Sequence, residues 1–338
     1  MTRSDSPLPP AEHTTAHSAE LRGPLERSPK NMVWIPDGRF LMGSEDFYPE
    51  ERPVHRRTVR GLWMDHHPVT NAEFRRFVKD TGHITTAETA PLAADFPDAS
   101  DDQLVPGSLV FTPPGHPVPL HDYRAWWSWV PGAEWRHPEG PGSTLHGRER
   151  HPVVHVSHAD AAAYASWAGK ELPTEAEWEY GARGGLDGAT YAWGDTPTVG
   201  GRLMANTWHG RFPHENLHLD GYERTSPIGS FPPNGYGMVD VCGNVWEWTT
   251  SNFTPDHSDA TTPQPVGRPC CGPAAGTQSS EGPLVIKGGS HLCAPNYCLR
   301  YRPAARQAQT ADTSTSHLGF RCVLRTGGYQ DRPAGPAG

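Results

Sequence analysis

Apolar residues recur at helical spacing after a polar start signal early in the chain. Phe74 and Phe77 follow Thr70–Glu73 at this spacing. That tetrapeptide fits a capping box, in which the hydroxyl and the carboxylate satisfy each other's exposed backbone amides. We therefore predict a helix over about 71–81 that ends at Gly82.

The same patterns predict two further helices and two short strands. Ser157–Asp160 precedes an alanine-rich segment with one apolar face, formed by Ala161, Tyr164, Ala165 and Ala168. Thr174–Glu177 is a second capping box, and its helix should end near Gly184–Gly185. The apolar runs Met32–Ile35 and Val153–Val156 predict short strands, and the second of these should be buried.

The remainder of the chain is rich in turn-forming residues. The segment from Thr86 to Tyr123 has weak periodicity and predicts a long surface excursion. Glycine and proline number 36 each among 338 residues, which excludes a helical bundle because such residues interrupt long helices. With 12 Trp, 10 Tyr and 10 Phe, the chain has too many large apolar rings for full disorder. We expect one folded, loop-rich domain.

Charge and the chain ends limit the partners and the location. The net charge of −9, without a basic block, disfavours binding to nucleic acid or to anionic membranes. The chain contains no run of 18 consecutive apolar residues, so we predict no membrane helix. Residues 1–31 are polar and lack the apolar core of a secretory signal, so we expect a cytoplasmic protein. We predict a disordered N-terminal tail over 1–31, a catalytic domain over 32–325 and a flexible C-terminal tail over 326–338.

Two cysteines five residues apart are the sharpest chemical feature. Pro295 and Asn296 favour a turn between Cys293 and Cys298, so the two thiols can face each other. Such a pair could form a disulfide, hold a soft metal or be structural. Two sulfurs are too few for a closed tetrahedral zinc site, whereas copper(I) suits thiolate donors. Three cations of the same segment would stabilise the thiolates if they lie close in space: Lys287, Arg300 and Arg302.

Two groups of oxygen donors suggest a hard cation such as calcium. Asp240 and Glu247 flank a Gly/Asn loop, and Asn206 and Asp220 flank another loop. Calcium is bound by carboxylate, amide and carbonyl oxygens. Solvated turns are the alternative for both groups. The vicinal pair Cys270-Cys271 is interpreted as partly buried thiols, with its role left open.

Five collinear motifs resemble the sulfatase-modifying-factor family and span Met32 to Leu324. They are Gly38-Arg39-Phe40-Leu41-Met42-Gly43, Pro68-Val69-Thr70-Asn71, Leu172-Pro173-Thr174-Glu175-Ala176-Glu177-Trp178-Glu179, Gly243-Asn244-Val245-Trp246-Glu247-Trp248 and Gly319-Phe320-Arg321-Cys322. A more specific match resembles the active-site segment of the family's formylglycine-generating enzymes: Gly288-Gly289-Ser290 followed by Cys293, Tyr297, Cys298 and Arg300-Tyr301-Arg302.

The resemblance implies a single C-type-lectin-like α/β domain with little regular secondary structure and long ordered loops. It also implies an oxidase that uses O2 and a thiol reductant. The substrate would be the cysteine of a Cys-x-Pro-x-Arg motif in unfolded sulfatases, which becomes Cα-formylglycine. In the family, the cysteines that match Cys293 and Cys298 bind copper(I), and the substrate thiolate joins them.

Further site residues are carried over from the same resemblance. Ser290 and Tyr297 match active-site polar residues, while Trp246 and Phe231 match walls of the substrate groove. One calcium site matches Asn206, the Thr207 carbonyl, Asp220 and the Tyr222 carbonyl. A second matches Asp240, Glu247 and the carbonyls of Gly243 and Val245, with Asp240 in place of an Asn common in relatives.

Departures from the family pattern shape the alternatives. Ala294 stands where well-known members often have a histidine after the first active-site cysteine, so a hydrogen bond is missing or supplied elsewhere. Ala165, Ala182 and Pro303 match disulfide partners of secreted relatives, which leaves Cys322 unpaired, consistent with a reducing cytoplasm.

The alternative function is a non-catalytic peptide-binding module on the same fold. An iron-dependent sulfoxide synthase is a further rival, but residues 1–31 leave no room for its extra helical domain. We expect a monomer.

Overall fold

A four-stranded sheet and a three-stranded sheet organise the part of the chain that the computed structural model describes, residues 28–94, 100, 104–257 and 282–326. Within these ranges the strands are β1 (Met32–Ile35), β2 (Gly38–Met42), β3 (His55–Val59), β4 (Leu62–Asp65), β5 (Gly107–Phe111), β6 (Trp127–Pro131), β7 (Thr198–Val199), β8 (Arg202–Leu203), β9 (Trp246–Asn252), β10 (Leu284–Lys287), β11 (Arg306–Gln309), β12 (Leu318–Gly319) and β13 (Val323–Arg325). The α-helices are α1 (Asn71–Thr81), α2 (His158–Trp167) and α3 (Glu175–Arg183). Single 3-10 turns lie at Pro49–Glu51, Thr86–Glu88 and Tyr123–Ala125.

The two main sheets join distant parts of the sequence. In the larger sheet, the order is β11-β10-β9-β12, with β12 parallel to β9 and the other pairs antiparallel. In the smaller sheet, β4 pairs with β1 and β13, so the first and last strands share one central neighbour. Three two-stranded hairpins complete the strands of the described ranges: β2-β3, β5-β6 and β7-β8.

The predicted helices are confirmed together with their start signals. Thr70, Ser157 and Thr174 each accept a hydrogen bond from the backbone amide three residues on, and each forms a complete capping box. α1 ends at Gly82 and α3 at Gly184, both with positive φ, the left-handed conformation that glycine adopts without steric cost. None of the described helices is long and apolar enough to cross a membrane.

Two local expectations are wrong. Val153–Val156 is buried as predicted, but it forms no strand, since His155 has a φ of 60° and its amide bonds to the Thr315 carbonyl. The predicted surface excursion from Thr86 to Tyr123 contains β5, a largely buried strand that pairs with β6. The periodicity was weak there because β5 is largely buried on both faces, so its residues do not alternate between apolar and polar. The strand predicted at Met32–Ile35 is confirmed as β1.

Two groups of buried apolar side chains meet at the cysteine segment. The main core includes Cys293 and Cys298, whereas Leu292 and Ala294 belong to a second group, the aromatic cluster. The aromatic cluster comprises Phe111, Trp126, Trp127, Trp208, Phe212, Leu292 and Ala294. The predicted α/β domain with little regular secondary structure and long ordered loops is confirmed. Its domain limits at residues 32 and 325 stay a prediction.

Candidate active site

The two cysteines face each other across one tight turn. The Cys293 Sγ lies 3.2 Å from the Cys298 Sγ, and both residues are fully buried and not joined by a disulfide. The Ala294 carbonyl accepts the amides of Tyr297 and Cys298 at 3.0 and 2.8 Å, which closes the turn. One soft ion could therefore contact both sulfurs.

The glycines before the turn allow a close approach of two backbone segments. Gly289 has a φ of 70°, and a Cβ there would lie 2.8 Å from the backbone of Arg300. The following residue, Ser290, donates its amide to the Cys293 Sγ at 3.4 Å. The Gly-Gly-Ser motif thus places a backbone N–H against the first thiol, a contact that stabilises negative charge on sulfur.

The three predicted cations separate into two roles. The Arg300 Nη1 lies 4.0 Å from the Cys298 Sγ, so its charge can stabilise a thiolate. The Lys287 Nζ instead donates to Glu179 at 2.9 Å, and Arg302 forms two bonds with Glu51 at 2.6 and 2.9 Å. Of the three, the structure brings Arg300 to the thiols.

A short segment near the N-terminal end of the domain holds the far side of the turn. The Tyr48 hydroxyl accepts the Leu299 amide at 3.0 Å, and its ring lies 3.7 Å from the Arg300 guanidinium carbon. Glu50 pairs with Arg300 at 2.5 Å, and Glu51 is fully buried with Arg302. Burial raises the pKa of Glu51, an effect that Arg302 opposes. Sequence reasoning missed these residues because they lie about 250 positions from their partners, with no local pattern that links them.

Aromatic rings cover the near side of the turn. The Tyr297 ring stacks on Phe212 with centroids 4.6 Å apart and an angle of 5°, and it meets Trp126 edge-on at 5.6 Å. The Trp208 amide donates to the Cys293 carbonyl at 3.0 Å. A cavity of about 220 Å³ adjoins this aromatic cluster and shares Phe111 and Trp208 with it. Phe212 and Trp208 carried no recognisable signal in the sequence.

Ser290 also contacts a histidine that sequence reasoning missed. The Ser290 Oγ accepts the Leu292 amide at 3.2 Å and lies 3.0 Å from the His317 Nδ1. His317 is buried, and burial lowers the pKa of its imidazole to about 3. The ring is therefore neutral near pH 7.

The first predicted calcium group fits a hard cation. The Asn206 Oδ1 is buried without a hydrogen-bond partner in the protein, while its Nδ2 donates to the Arg224 carbonyl at 2.9 Å. The Asp220 carboxylate accepts the amides of Thr207 and Tyr222 at 3.2 and 3.0 Å. A buried amide oxygen without a donor is costly, and calcium takes such oxygens as ligands.

The second predicted group has different partners. Both oxygens of Glu247 bind Arg321, at 2.6 and 2.8 Å, and one of them also accepts the Trp178 Nε1. Burial raises the pKa of Asp240 to about 6, and its carboxylate accepts the Gly229 amide at 2.7 Å. The loop between them carries Gly243 and Val245, both buried. Glu247 is thus engaged by Arg321 and Trp178, and the assignment of this group to calcium stays a prediction.

The remaining candidate residues are two aromatic residues and the other cysteines. Trp246 is fully buried in the main core, and Phe231 packs beside Tyr222 with ring centroids 6.3 Å apart. Their assignment to a substrate groove stays a prediction. Burial raises the pKa of Cys322, which is not in a disulfide, whereas Cys270-Cys271 lies outside the described residues. Among the residues that the structure describes, no three His, Cys, Asp or Glu side chains cluster as a metal site.

Comparison with known proteins covers most of the chain. The family model described as "Sulfatase-modifying factor enzyme 1-like domain" matches residues 18–326. A Mycobacterium tuberculosis protein named formylglycine-generating enzyme is 53% identical over 294 residues, 86% of this chain and 97% of the relative. A mouse protein named inactive C-alpha-formylglycine-generating enzyme 2 is 36% identical over 301 residues, 88% of this chain and 86% of the relative.

A solved structure has the same fold at lower sequence identity. The structure of PvdO from Pseudomonas aeruginosa superposes with a TM-score of 0.57 at 25% identity, and the match covers 86% of this chain and 93% of that one. The family model spans nearly the whole described chain, and the predicted resemblance is thereby confirmed. This chain belongs to the sulfatase-modifying factor family, which includes the formylglycine-generating enzymes.

Proposed function

We propose that this protein is a copper-dependent oxidase that converts the cysteine of a Cys-x-Pro-x-Arg motif in unfolded sulfatases to Cα-formylglycine. The observation that carries the proposal is the buried pair of facing thiols, 3.2 Å apart, in its Gly-Gly-Ser and Arg-x-Arg frame. The 53% identity to a relative named formylglycine-generating enzyme over 86% of the chain supports it.

Cys293 and Cys298 would hold the copper(I) ion. Two soft sulfur donors suit copper(I) better than the hard or tetrahedral alternatives. When bound, copper supplies a coordination position for the substrate thiolate and the activation of O2. The chain itself contributes the nearby charge of Arg300 and the aromatic cover that includes Tyr297 and Phe212, which limits access of water.

The overall reaction balances with a thiol as the second reductant. One O2 takes four electrons: two from the substrate cysteine, which loses its Cβ hydrogen and its thiol proton, and two from a pair of reductant thiols that become a disulfide. Both oxygen atoms leave as water, and the substrate becomes a thioaldehyde. Hydrolysis by one water then gives the aldehyde and hydrogen sulfide.

Calcium at the first oxygen-donor group is part of the proposal, with a structural role. The buried Asn206 Oδ1 without a protein partner supports it. Sulfatase polypeptides are the proposed partners, the cytoplasm the proposed location, and a monomer the proposed state. The four described cysteines outside disulfides support a reducing compartment.

A non-catalytic peptide-binding module is the second candidate. The mouse relative at 36% identity carries the word inactive in its name, which keeps a chain without the activity among the candidates. The thiol pair favours the oxidase, because a binding module has no use for two facing buried thiols. Metal analysis separates the candidates: copper for the oxidase, calcium alone for the module and iron for a sulfoxide synthase.

The direct experiment follows a Cys-x-Pro-x-Arg peptide by mass spectrometry after incubation with the protein, copper(I), O2 and a thiol reductant. Wild-type protein should convert the peptide, and Cys298→Ser should not. Cys322→Ser is the matched control, since it changes another buried cysteine, which donates a side-chain hydrogen bond to Asp65 instead of facing a thiol. An unchanged peptide with wild-type protein, or equal conversion by Cys298→Ser, would refute the proposal.

A further inference from the structure

The hydroxyl of Ser290 lies at the junction between the thiol pair and a buried histidine. Its own backbone amide donates to the Cys293 Sγ at 3.4 Å. Its Oγ accepts the Leu292 amide at 3.2 Å, which occupies one side of the oxygen. The remaining contact is to the His317 Nδ1 at 3.0 Å. The hydroxyl donates to this nitrogen in one imidazole tautomer and accepts from it in the other, and in both cases the contact restricts the directions open to the hydroxyl hydrogen.

Backbone and aromatic contacts fix the position of the His317 ring, so its Nδ1 can constrain the Ser290 hydroxyl. Its carbonyl accepts the Trp246 amide at 2.9 Å, directly before β12 begins at Leu318. Its ring meets Trp127 edge-on with centroids 4.9 Å apart, and the residue is only 2% exposed. A buried ring fixed by backbone and aromatic contacts holds its nitrogen in one place.

Ala294, the residue next to the first thiol, cannot orient the Ser290 hydroxyl. Ala294 has no polar atom in its side chain, and it packs in the aromatic cluster, fully buried. His317 reaches Ser290 from 27 residues further along the chain, so no local motif indicates the contact.

We propose that His317 is a positioning residue that fixes the orientation of the Ser290 hydroxyl beside the Cys293–Cys298 pair. This inference rests on the proposed function. Ser290 is the group beside the reacting atoms, and His317 acts through it. The neutral imidazole offers a hydrogen-bonding nitrogen without a second positive charge near the thiols.

The test compares three variants in the full-length, copper-loaded protein. His317→Leu removes the ring nitrogen and should lower kcat for the peptide about 10- to 100-fold, the usual cost of losing a contact behind a metal site. KM should stay within a factor of about two, because His317 does not touch the substrate. His317→Asn places an amide near the Nδ1 position and should recover most of kcat.

A double-mutant cycle checks that the effect passes through the serine. Ser290→Ala should cost much less in the His317→Leu background than in wild-type protein, since the two residues act as one unit. A copper-free readout accompanies the cycle: in protein with ¹⁵N-labelled histidine, Ser290→Ala should shift the Nδ1 resonance of His317. The matched control His158→Leu, a histidine edge-on to Trp248 elsewhere, should leave that resonance in place.

The outcomes separate this inference from the proposed function. An active wild-type protein with an equally active, folded His317→Leu variant overturns the inference and leaves the proposed function intact. Losses of kcat that combine independently in the double-mutant cycle also overturn it. So does an Nδ1 resonance of His317 that does not shift in Ser290→Ala. A wild-type protein that never converts the peptide overturns the proposed function, and with it the role assigned to His317.

Discussion

The turn that carries the two thiols meets the protein in two different ways. On one side, the charged side, Arg300 and Arg302 pair with Glu50 and Glu51. On the other, the aromatic side, Tyr297 stacks on Phe212 and meets Trp126. Ion pairs in a buried site fix geometry but are costly to break, whereas aromatic contacts exclude water and tolerate small changes. We infer that the charged side sets the position of the turn and the aromatic side controls access to it.

Removing one member of the buried ion pair should give the largest effect. Glu51→Ala leaves Arg302 buried without its carboxylate, which should lower the free energy of unfolding by about 3–5 kcal/mol. Urea denaturation measures this change. Glu50→Ala is the matched control on the same segment, and its partly exposed pair with Arg300 should cost far less. Equal losses for the two variants would contradict the account.

Removing the cation beside Cys298 should reduce activity more than stability. Arg300→Met should lower kcat about fivefold or more, because a charge about 4 Å from a thiolate is worth at least about 1 kcal/mol. Arg300→Lys keeps the charge and should lose less. Peptide turnover measured for both variants decides this point. If Arg300→Lys is as impaired as Arg300→Met, the positive charge near Cys298 is not what Arg300 contributes to turnover.

Weakening the aromatic side should change access to the thiols at a modest cost in stability. Phe212→Leu removes the stack on Tyr297, a contact worth about 0.5–1.5 kcal/mol. The copper-free protein should then react faster with a thiol-alkylating reagent. Phe111→Leu, a change within the same cluster that leaves the Tyr297 stack in place, is the control. The same alkylation rate in wild type and Phe212→Leu would show that this side does not limit access.

Acid should act on the aromatic side through a buried histidine beneath the β5-β6 hairpin. His155 bonds to Ser108 and to the Pro138 carbonyl, and burial lowers the pKa of His155 from 6.5 to about 4. A depressed pKa means that its contribution to stability is present above pH 6.5 and is lost as the pH falls towards 4. Within that window, one such histidine lowers the free energy of unfolding by up to about 1.4 kcal/mol for each pH unit of acidification.

The variant His155→Asn tests this effect, and asparagine tolerates the left-handed backbone at this position. Between pH 6.5 and 4, its free energy of unfolding should fall less steeply than that of wild type. The difference in slope should correspond to about one proton fewer taken up on unfolding. Urea denaturation across this range provides the slopes. Parallel curves would mean that His155 does not titrate in the folded protein.

The sequence predicted the parts of the fold and site that depend on local pattern. The capping boxes at Thr70 and Thr174 and the turn between Cys293 and Cys298 are set by residues a few positions apart, and the structure has all three. The strand expected at Val153–Val156 failed because the positive φ of His155 depends on contacts with distant residues. Burial alone was correctly predicted for that segment.

The partners of the site residues could not be predicted for a related reason. Glu247 was expected as a calcium ligand, and its contact with Arg321, 74 residues along the chain, carried no signal in the sequence. His317 and Glu51 reach the thiol turn from elsewhere in the fold, without any periodicity or spacing that marks them. Such contacts arise from packing of loops, which sequence pattern does not encode.

The most direct measurement of the central claim is oxygen uptake per aldehyde formed. Copper-loaded wild-type protein with reductant and a Cys-x-Pro-x-Arg peptide should consume one O2 for each aldehyde trapped as an oxime, beyond the uptake by copper and reductant without protein. Cys298→Ser should show neither uptake nor oxime. Aldehyde formation without oxygen uptake, or equal yields from Cys298→Ser, would contradict the assignment of the reaction to the thiol pair.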